Sequence, residues 1–349
     1  MTPLKPNVAL YALGTPGAEL CRRLVNEMEA AEVFLPARHA REDLGERPFN
    51  SLHEVLADNF NQYAGHVLAC AAGMAIRCFA PLLQSKDKDP AVVVLDQHGK
   101  YAVSLLSGHL GGANDLALKA AKALGGQAVI TTATDNLGLP SLELEAKKLE
   151  LAVENLSALA AISGALVDGL KVAVCDPRGW MKPVLKRHAD LFDMIEPDQA
   201  ESMIDEPLVW VGWQDLPKRD QWLVLRPRCV ALGMGCNRLT SADELLGLAH
   251  EALTKAGAAK TSLKFMASAE AKRDEPGFLE AAHSLGVEPV FYDHHRLAQV
   301  EVPNPSEAAL RCLGTASVCE AAAILASNNG TLILNKIKSK NATAAVAVI

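Results

Sequence analysis

Short apolar runs recur along this chain, separated by longer segments whose apolar positions fall three or four residues apart. The runs at 7–13, 66–72, 91–95, 101–106 and 127–132 read as strands. The segments 18–31, 52–63, 74–84 and 115–124 carry helical spacing, with the third closing near Pro81. Residues 97–100 read as a turn between two strands, and 107–114 as a glycine-rich loop. Strands alternating with helices predict a mainly parallel sheet with helices on its faces.

The pattern changes after Ser141. Residues 142–159 and a stretch around 180–187 read as charged helices. Three strand-like runs lie at 171–175, 207–212 and 222–225, and the polar stretch 190–206 reads as surface. A third pattern begins at Cys229, with a strand at 230–233, a loop at 235–240 and a long helix at 241–256. Ser241 is the expected N-cap, and Glu244 completes the spacing of a capping box. Further strands are expected at 265–267, 289–292, 332–334 and 344–349, the last two as a hairpin around 336–343. Helices are expected at 307–312 and 318–326.

A length of 349 residues exceeds what one core usually holds. The fold class expected is α/β, with mainly parallel sheets and flanking helices in three successive domains at 1–138, 139–227 and 228–349. Composition narrows the functional classes. Half the residues are hydrophobic (50%) and 21% are charged, which is globular usage. A net charge of -7 gives no general attraction for nucleic acid or anionic membrane. An anionic ligand would therefore be held by local donors. The apolar stretch 67–83 contains Arg77 and Pro81 and reads as strand plus helix, not as a membrane span. Eight scattered cysteines without a C-x-x-C pair suit reduced core thiols and a cytoplasmic location.

The chemistry concentrates at 104–114. Gly108, Gly111 and Gly112 sit where a strand meets a helix, and glycine permits close backbone approach there. N–H groups at a helix start make an anion site. Ser107, His109 and Asn114 add side-chain groups, and His109 can exchange a proton near neutrality. The same loop also fits a tight turn carrying a solvated histidine. The next strand ends in Thr132, Thr134 and Asp135, which should lie near the glycine loop. Arg77, early in its helix, could pair with a carboxylate. The glycines Gly233 and Gly235 hint at a dinucleotide fingerprint, but Arg238 occupies the third glycine position. Asp293, His294 and His295 are adjacent and read as a solvated loop, so no protein metal site is expected. Ser317 opens an alanine-rich helix. Within that helix Glu320 needs a partner, and Lys336 is a candidate for it.

These segments together resemble the CbiG family. The resemblance runs through 73–83, Lys86, 88–96, 104–114 and 129–135. It resumes at 233–236, Pro305, Ser306, 314–320, Lys336 and 341–347. It covers both ends well and the middle poorly. The chain departs from the family pattern at Asn237 and Leu239, where the family carries a basic residue and a glycine. The resemblance implies a cobalt-precorrin-5A hydrolase of cobalamin biosynthesis. Such an enzyme opens a δ-lactone, releases acetaldehyde and yields cobalt-precorrin-5B. The substrate would bring its own cobalt, so no separate cofactor is expected, and contacts with other pathway enzymes would be transient. On that footing His109 is the expected general base or acid, with Asp135 orienting it and Glu320 as a further catalytic carboxylate. Arg77, Ser107, Gly108, Gly111, Gly112, Asn114, Thr132, Thr134, Gly235, Ser317 and Lys336 are the expected substrate-binding residues. The alternative is a non-catalytic protein that holds a corrinoid intermediate and hands it on.

Overall fold

A computed structural model of the chain describes residues 8–85, 88–305 and 317–349. Lys86, Ser306, the helix expected at 307–312 and the start of the loop at Gly314 lie outside the described residues. The chain divides into two compact units, Met1–Leu144 and Glu145–Ile349.

In the first unit the elements follow in the order β1 (Val8–Ala12), α1 (Thr15–Val25), β2 (Ala31–Pro36), β3 (Arg47–Phe49) and α2 (Leu52–Asn59). Then come β4 (Gly65–Ala69), α3 (Ala72–Phe79), β5 (Ala91–Leu95) and β6 (Tyr101–Leu106). α4 (Ala113–Leu124), β7 (Gln127–Val129) and α5 (Ala133–Asn136) complete the set. The sheet has seven strands in the order β3-β2-β1-β4-β5-β6-β7. Both faces are covered, and the alternation along β1 shows how. Val8, Leu10 and Ala12 pack on one side with Leu20, Leu24 and Ala117 of α1 and α4. Ala9 and Tyr11 pack on the other with Leu56 and Phe79 of α2 and α3.

The strand directions decide where the loops go. β1 to β5 are mutually parallel, but β6 runs antiparallel to β5, and β7 is parallel to β6. The cause is the tight turn at 97–100, with Gly99 at φ 67°. So short a connection can join only antiparallel neighbours. The carboxyl ends of β6 and β7 therefore lie at the amino-terminal edge of β1 to β5.

The second unit begins within α6 (Leu142–Lys148) and holds two sheets. The first contains β8 (Leu151–Val153), β9 (Val172–Cys175), β10 (Phe192–Met194), β11 (Leu208–Val211) and β12 (Trp222–Pro227), in the order β10-β9-β11-β12-β8. Its helices are α7 (Leu159–Val167), α8 (Lys182–Arg187) and α9 (Pro197–Ser202). The second contains β13 (Val230–Cys236), β14 (Leu263–Ala269), β15 (Glu288–Tyr292), β16 (Thr331–Lys338) and β17 (Ala342–Val348), in the order β15-β14-β13-β17-β16. Its helices are α10 (Ala242–Lys255), α11 (Pro276–Leu285), α12 (His294–Ala298) and α13 (Val318–Ala326). Three sheets, mostly parallel and flanked by helices, match the expected class.

Several elements differ from the sequence pattern. The first helix ends at Val25, and the apolar run Val33, Phe34, Leu35 forms β2. The helix expected at 142–159 breaks where Glu150 adopts φ 56°. Its middle becomes β8, pairing antiparallel with β12. The polar stretch 190–206 holds β10 and α9, and α11 was not foreseen. Gly233 is explained by packing. A Cβ there would fall 1.9 Å from the Cys319 carbonyl oxygen and 2.6 Å from the Ala323 nitrogen. The glycine lets α13 press onto β13, so close helix–strand packing accounts for it without a dinucleotide.

Candidate functional site

The glycine loop leaves β6 through Ser107, whose φ of 57° is unusual for a residue with a side chain. The loop folds back on itself. The Ala113 N–H donates to the Ser107 carbonyl at 3.1 Å and the Asn114 N–H to the Gly108 carbonyl at 3.1 Å. Side chains have no room at two of the glycines. A Cβ on Gly111 would lie 2.4 Å from Ser107 Cβ, and one on Gly108 2.8 Å from Asn114 Oδ1. Gly112 is the N-cap of α4, and its N–H donates to the His109 carbonyl at 3.0 Å. That bond corrects one expectation: the Gly112 N–H is occupied within the loop.

Asn114 stands in the first turn of α4 and is buried. Its Oδ1 accepts from Ser104 Oγ at 2.6 Å. Its Nδ2 donates to Thr132 Oγ1 at 3.2 Å and to Asp135 Oδ2 at 2.7 Å. Asn114 therefore ties three segments together and has no amide proton to spare for substrate. β7 delivers Thr132 and α5 carries Thr134 and Asp135, which the parallel pairing of β6 and β7 brings beside the loop.

His109 is the centre of the cluster. Its Nε2 lies 2.9 Å from Asp135 Oδ2 and 3.3 Å from Thr134 Oγ1. Its Nδ1 lies 3.0 Å from Oε1 of Glu143, a residue of α6 that the sequence pattern did not single out. The Glu143 hydrogen bond raises the pKa of His109 most. Burial opposes it, and Asp135 adds to the rise. Burial pushes the Glu143 carboxyl up, but its bond to His109 and further hydrogen bonds hold it below the ordinary range. The Glu143 side chain is 12% exposed and that of Asp135 42%. One carboxylate is set into the protein and the other faces solvent. Together they present a fixed histidine with a solvent-facing acid–base partner.

Gly111 and Gly112 also border an open groove of about 810 Å³, with Val8, Gly65, Ala91 and Lys119. His109 does not line it. Val8, Gly65 and Ala91 are the first residues of β1, β4 and β5, or stand beside them, which confirms the edge at which the loop emerges. Arg77 lies elsewhere. It sits on α3, which leaves the opposite edge after β4, and it is exposed. Its guanidinium donates to the Gly73 carbonyl at 3.0 Å. Because β6 runs back after the turn at 97–100, Arg77 and His109 stand at opposite edges of the sheet.

In the second unit Glu320 lies on α13 with no exposed surface. Asn304 Nδ2 donates to it at 2.8 Å and the Lys336 backbone N–H at 3.0 Å. The Lys336 ammonium goes instead to the Asn304 carbonyl. The expected Glu320–Lys336 pairing is thus made by the lysine backbone, and the buried carboxylate has no face to offer a substrate. Ser317 is the buried N-cap of α13. Gly235 belongs to β13, opposite Thr343 of β17, and not to a loop. Ser241 Oγ accepts from the Glu244 N–H at 3.3 Å, as the capping pattern predicts. The Glu244 carboxylate turns away to Ser339 and Asn341. Asp293 caps α12 beside His294 and His295. No group of residues able to hold a metal ion occurs among the described residues. No helix among them is long and apolar enough to cross a membrane.

Known proteins resemble the chain along its length. The family descriptions "Cobalamin synthesis G N-terminal", "Cobalamin biosynthesis central region" and "Cobalamin synthesis G C-terminus" match residues 54–135, 140–227 and 230–347. A cobalt-precorrin-5A hydrolase of Priestia megaterium is 31% identical over 98% of this chain and 94% of its own. One of Salmonella typhimurium is 30% identical over 100% of this chain and 99% of its own. Protein CobE of Sinorhizobium is 40% identical over 34% of this chain and 79% of its own. With all three segments matched in order and full-length relatives at this identity, the chain belongs to the CbiG family of cobalamin biosynthesis.

Proposed function

We propose that this protein is a cobalt-precorrin-5A hydrolase, opening the δ-lactone of its substrate and releasing acetaldehyde to give cobalt-precorrin-5B. The observation that carries the reading is His109. It is held in a glycine loop between two carboxylates, in a chain whose full-length relatives bear that name. Lactone opening needs water activated by a base and a proton for the departing oxygen. The His109–Asp135 pair supplies groups for both. After opening, the alcohol gives up its proton and its carbon leaves as acetaldehyde. The electron pair of the broken carbon–carbon bond passes into the macrocycle, which takes up a proton.

The substrate carries many carboxylates, and the chain carries net charge -7. The overall field therefore does not account for its capture. Cobalt enters with the substrate, and no resident cofactor is assigned. Scattered cysteines suit action in the reducing cytoplasm, with transient contacts to other enzymes of the pathway. Anaerobic incubation of purified protein with cobalt-precorrin-5A tests the reading. Mass analysis should show the opened macrocycle, with acetaldehyde in equal amount. Tight binding of the macrocycle without opening would instead make the chain a hand-over protein.

A further inference from the structure

Resting on that reading, we propose that Glu143 is the positioning residue of the site, that His109 works doubly protonated as the acid, and that Asp135 is the base. The geometry carries the assignment. Ionised carboxylates only accept hydrogen bonds. His109 meets one at each ring nitrogen, 3.0 Å at Nδ1 and 2.9 Å at Nε2, so both nitrogens carry protons. The charged groups facing the ring are Glu143 from α6 and Asp135 from α5, and its third neighbour, Thr134, is neutral.

The two carboxylates differ in what else they can do. Glu143 is the shielded one and fixes the ring through Nδ1. Asp135 is the exposed one. Its Oδ2 is occupied by His109 and Asn114, while its Oδ1 takes no hydrogen bond from a described residue. Oδ1 is therefore the atom able to receive a proton from water. The orienting role expected of Asp135 passes to Glu143.

The step balances with these groups alone. Water bonds through oxygen to the lactone carbonyl carbon and gives one proton to Asp135. The ring carbon–oxygen bond breaks, and the released oxygen takes the Nε2 proton of His109. Protonated Asp135 then returns its proton to Nε2, leaving a carboxylic acid and an alcohol on the substrate.

The test reads the ring nitrogens of His109 by NMR, using the full chain labelled with nitrogen-15 histidine. Wild-type His109 should stay doubly protonated through neutral pH. E143Q should lower its proton affinity about tenfold or more, and E143D should restore part of it. A neutral His109 in the wild type at pH 7, or an unchanged titration in E143Q, overturns the proposal. Should E143Q not fold, the wild-type titration still decides the protonation state. Single-turnover lactone opening supplies the second readout. The rate should fall as pH rises through the His109 titration, and D135N should lose turnover. A rate that rises through that titration makes His109 the base and overturns the assignment, as does wild-type turnover in D135N. If the wild type opens no lactone although its nitrogens behave as expected, the hydrolase reading and the acid–base roles fall. The positioning role of Glu143 then stands on the titration alone.

Discussion

Two histidines of the first unit show opposite uses of the same side chain. His66 on β4 is fully buried, ringed by Tyr11, Phe60, Tyr63 and Phe79. Its Nε2 lies 3.2 Å from the Phe60 carbonyl, which can only accept, so Nε2 carries the proton. Its Nδ1 then accepts from the Tyr11 hydroxyl at 3.3 Å, which in turn accepts from Asn59 Nδ2 at 3.1 Å. Every partner is neutral, and burial pushes the His66 pKa down to about 4. His109 stands at the sheet edge with two carboxylates, and its pKa is raised. The partners differ, and the charge of the ring follows them. A neutral, shielded imidazole stabilises the fold, whereas a charged and partly exposed one is equipped for proton transfer.

Removing His109 should have the largest effect. H109A should slow lactone opening about 100-fold to 10,000-fold at saturating substrate in a protein that still folds cooperatively. If His109 only fills a turn, turnover will survive and stability alone will drop.

The next largest effect is on stability against pH. Between pH 6.5 and about 4 the unfolded chain protonates His66 and the folded chain does not. The unfolded state then binds more protons, so stability falls as pH falls through that window, by roughly 3 kcal/mol in all. His109 has the opposite sign. Its raised folded pKa adds stability that is complete below the unfolded value and is lost as pH rises through the folded one. Denaturant unfolding from pH 4 to 8 should show both slopes. H66F should flatten the acid side alone, and an unchanged acid limb in H66F would break the comparison.

G111A should come third. Its Cβ would press on Ser107 Cβ at 2.4 Å and on the Ser107 carbonyl at 2.8 Å. The loop must shift, and turnover should fall about tenfold or more while His66 continues to titrate as in wild type. The smallest effect is expected at Arg77. R77A should leave stability within about 0.5 kcal/mol and turnover near wild type, because the side chain is exposed on α3. A large loss of turnover in R77A would mean that substrate reaches both edges of the sheet.

Much of the site was legible in the sequence, because its parts are local signals. The glycines at 108, 111 and 112 mark the loop, and Thr132, Thr134 and Asp135 follow the next strand. Since β6 and β7 are parallel, the two loops must meet. Glu143 was not legible. It lies 34 residues from His109, in a segment of several charged residues, and only the fold selects it. Arg77 lies at the other edge of the sheet for a topological reason. The turn at 97–100 is visible in the sequence, and at it β6 reverses and carries the site to the other edge. Glu320 was recognised as a buried carboxylate in need of partners. Asn304 supplies two of them, and no short-range pattern links it to Glu320. β2 was lost because its apolar run continued directly from a helical pattern, and periodicity alone does not separate such neighbours.

The most direct measurement is single-turnover opening of cobalt-precorrin-5A by wild type and H109A under anaerobic conditions, with folding checked by thermal melting. The expected result is stoichiometric acetaldehyde and opened macrocycle from the wild type, with a folded H109A slower by at least about 100-fold. A folded H109A that opens the lactone at the wild-type rate would contradict the account.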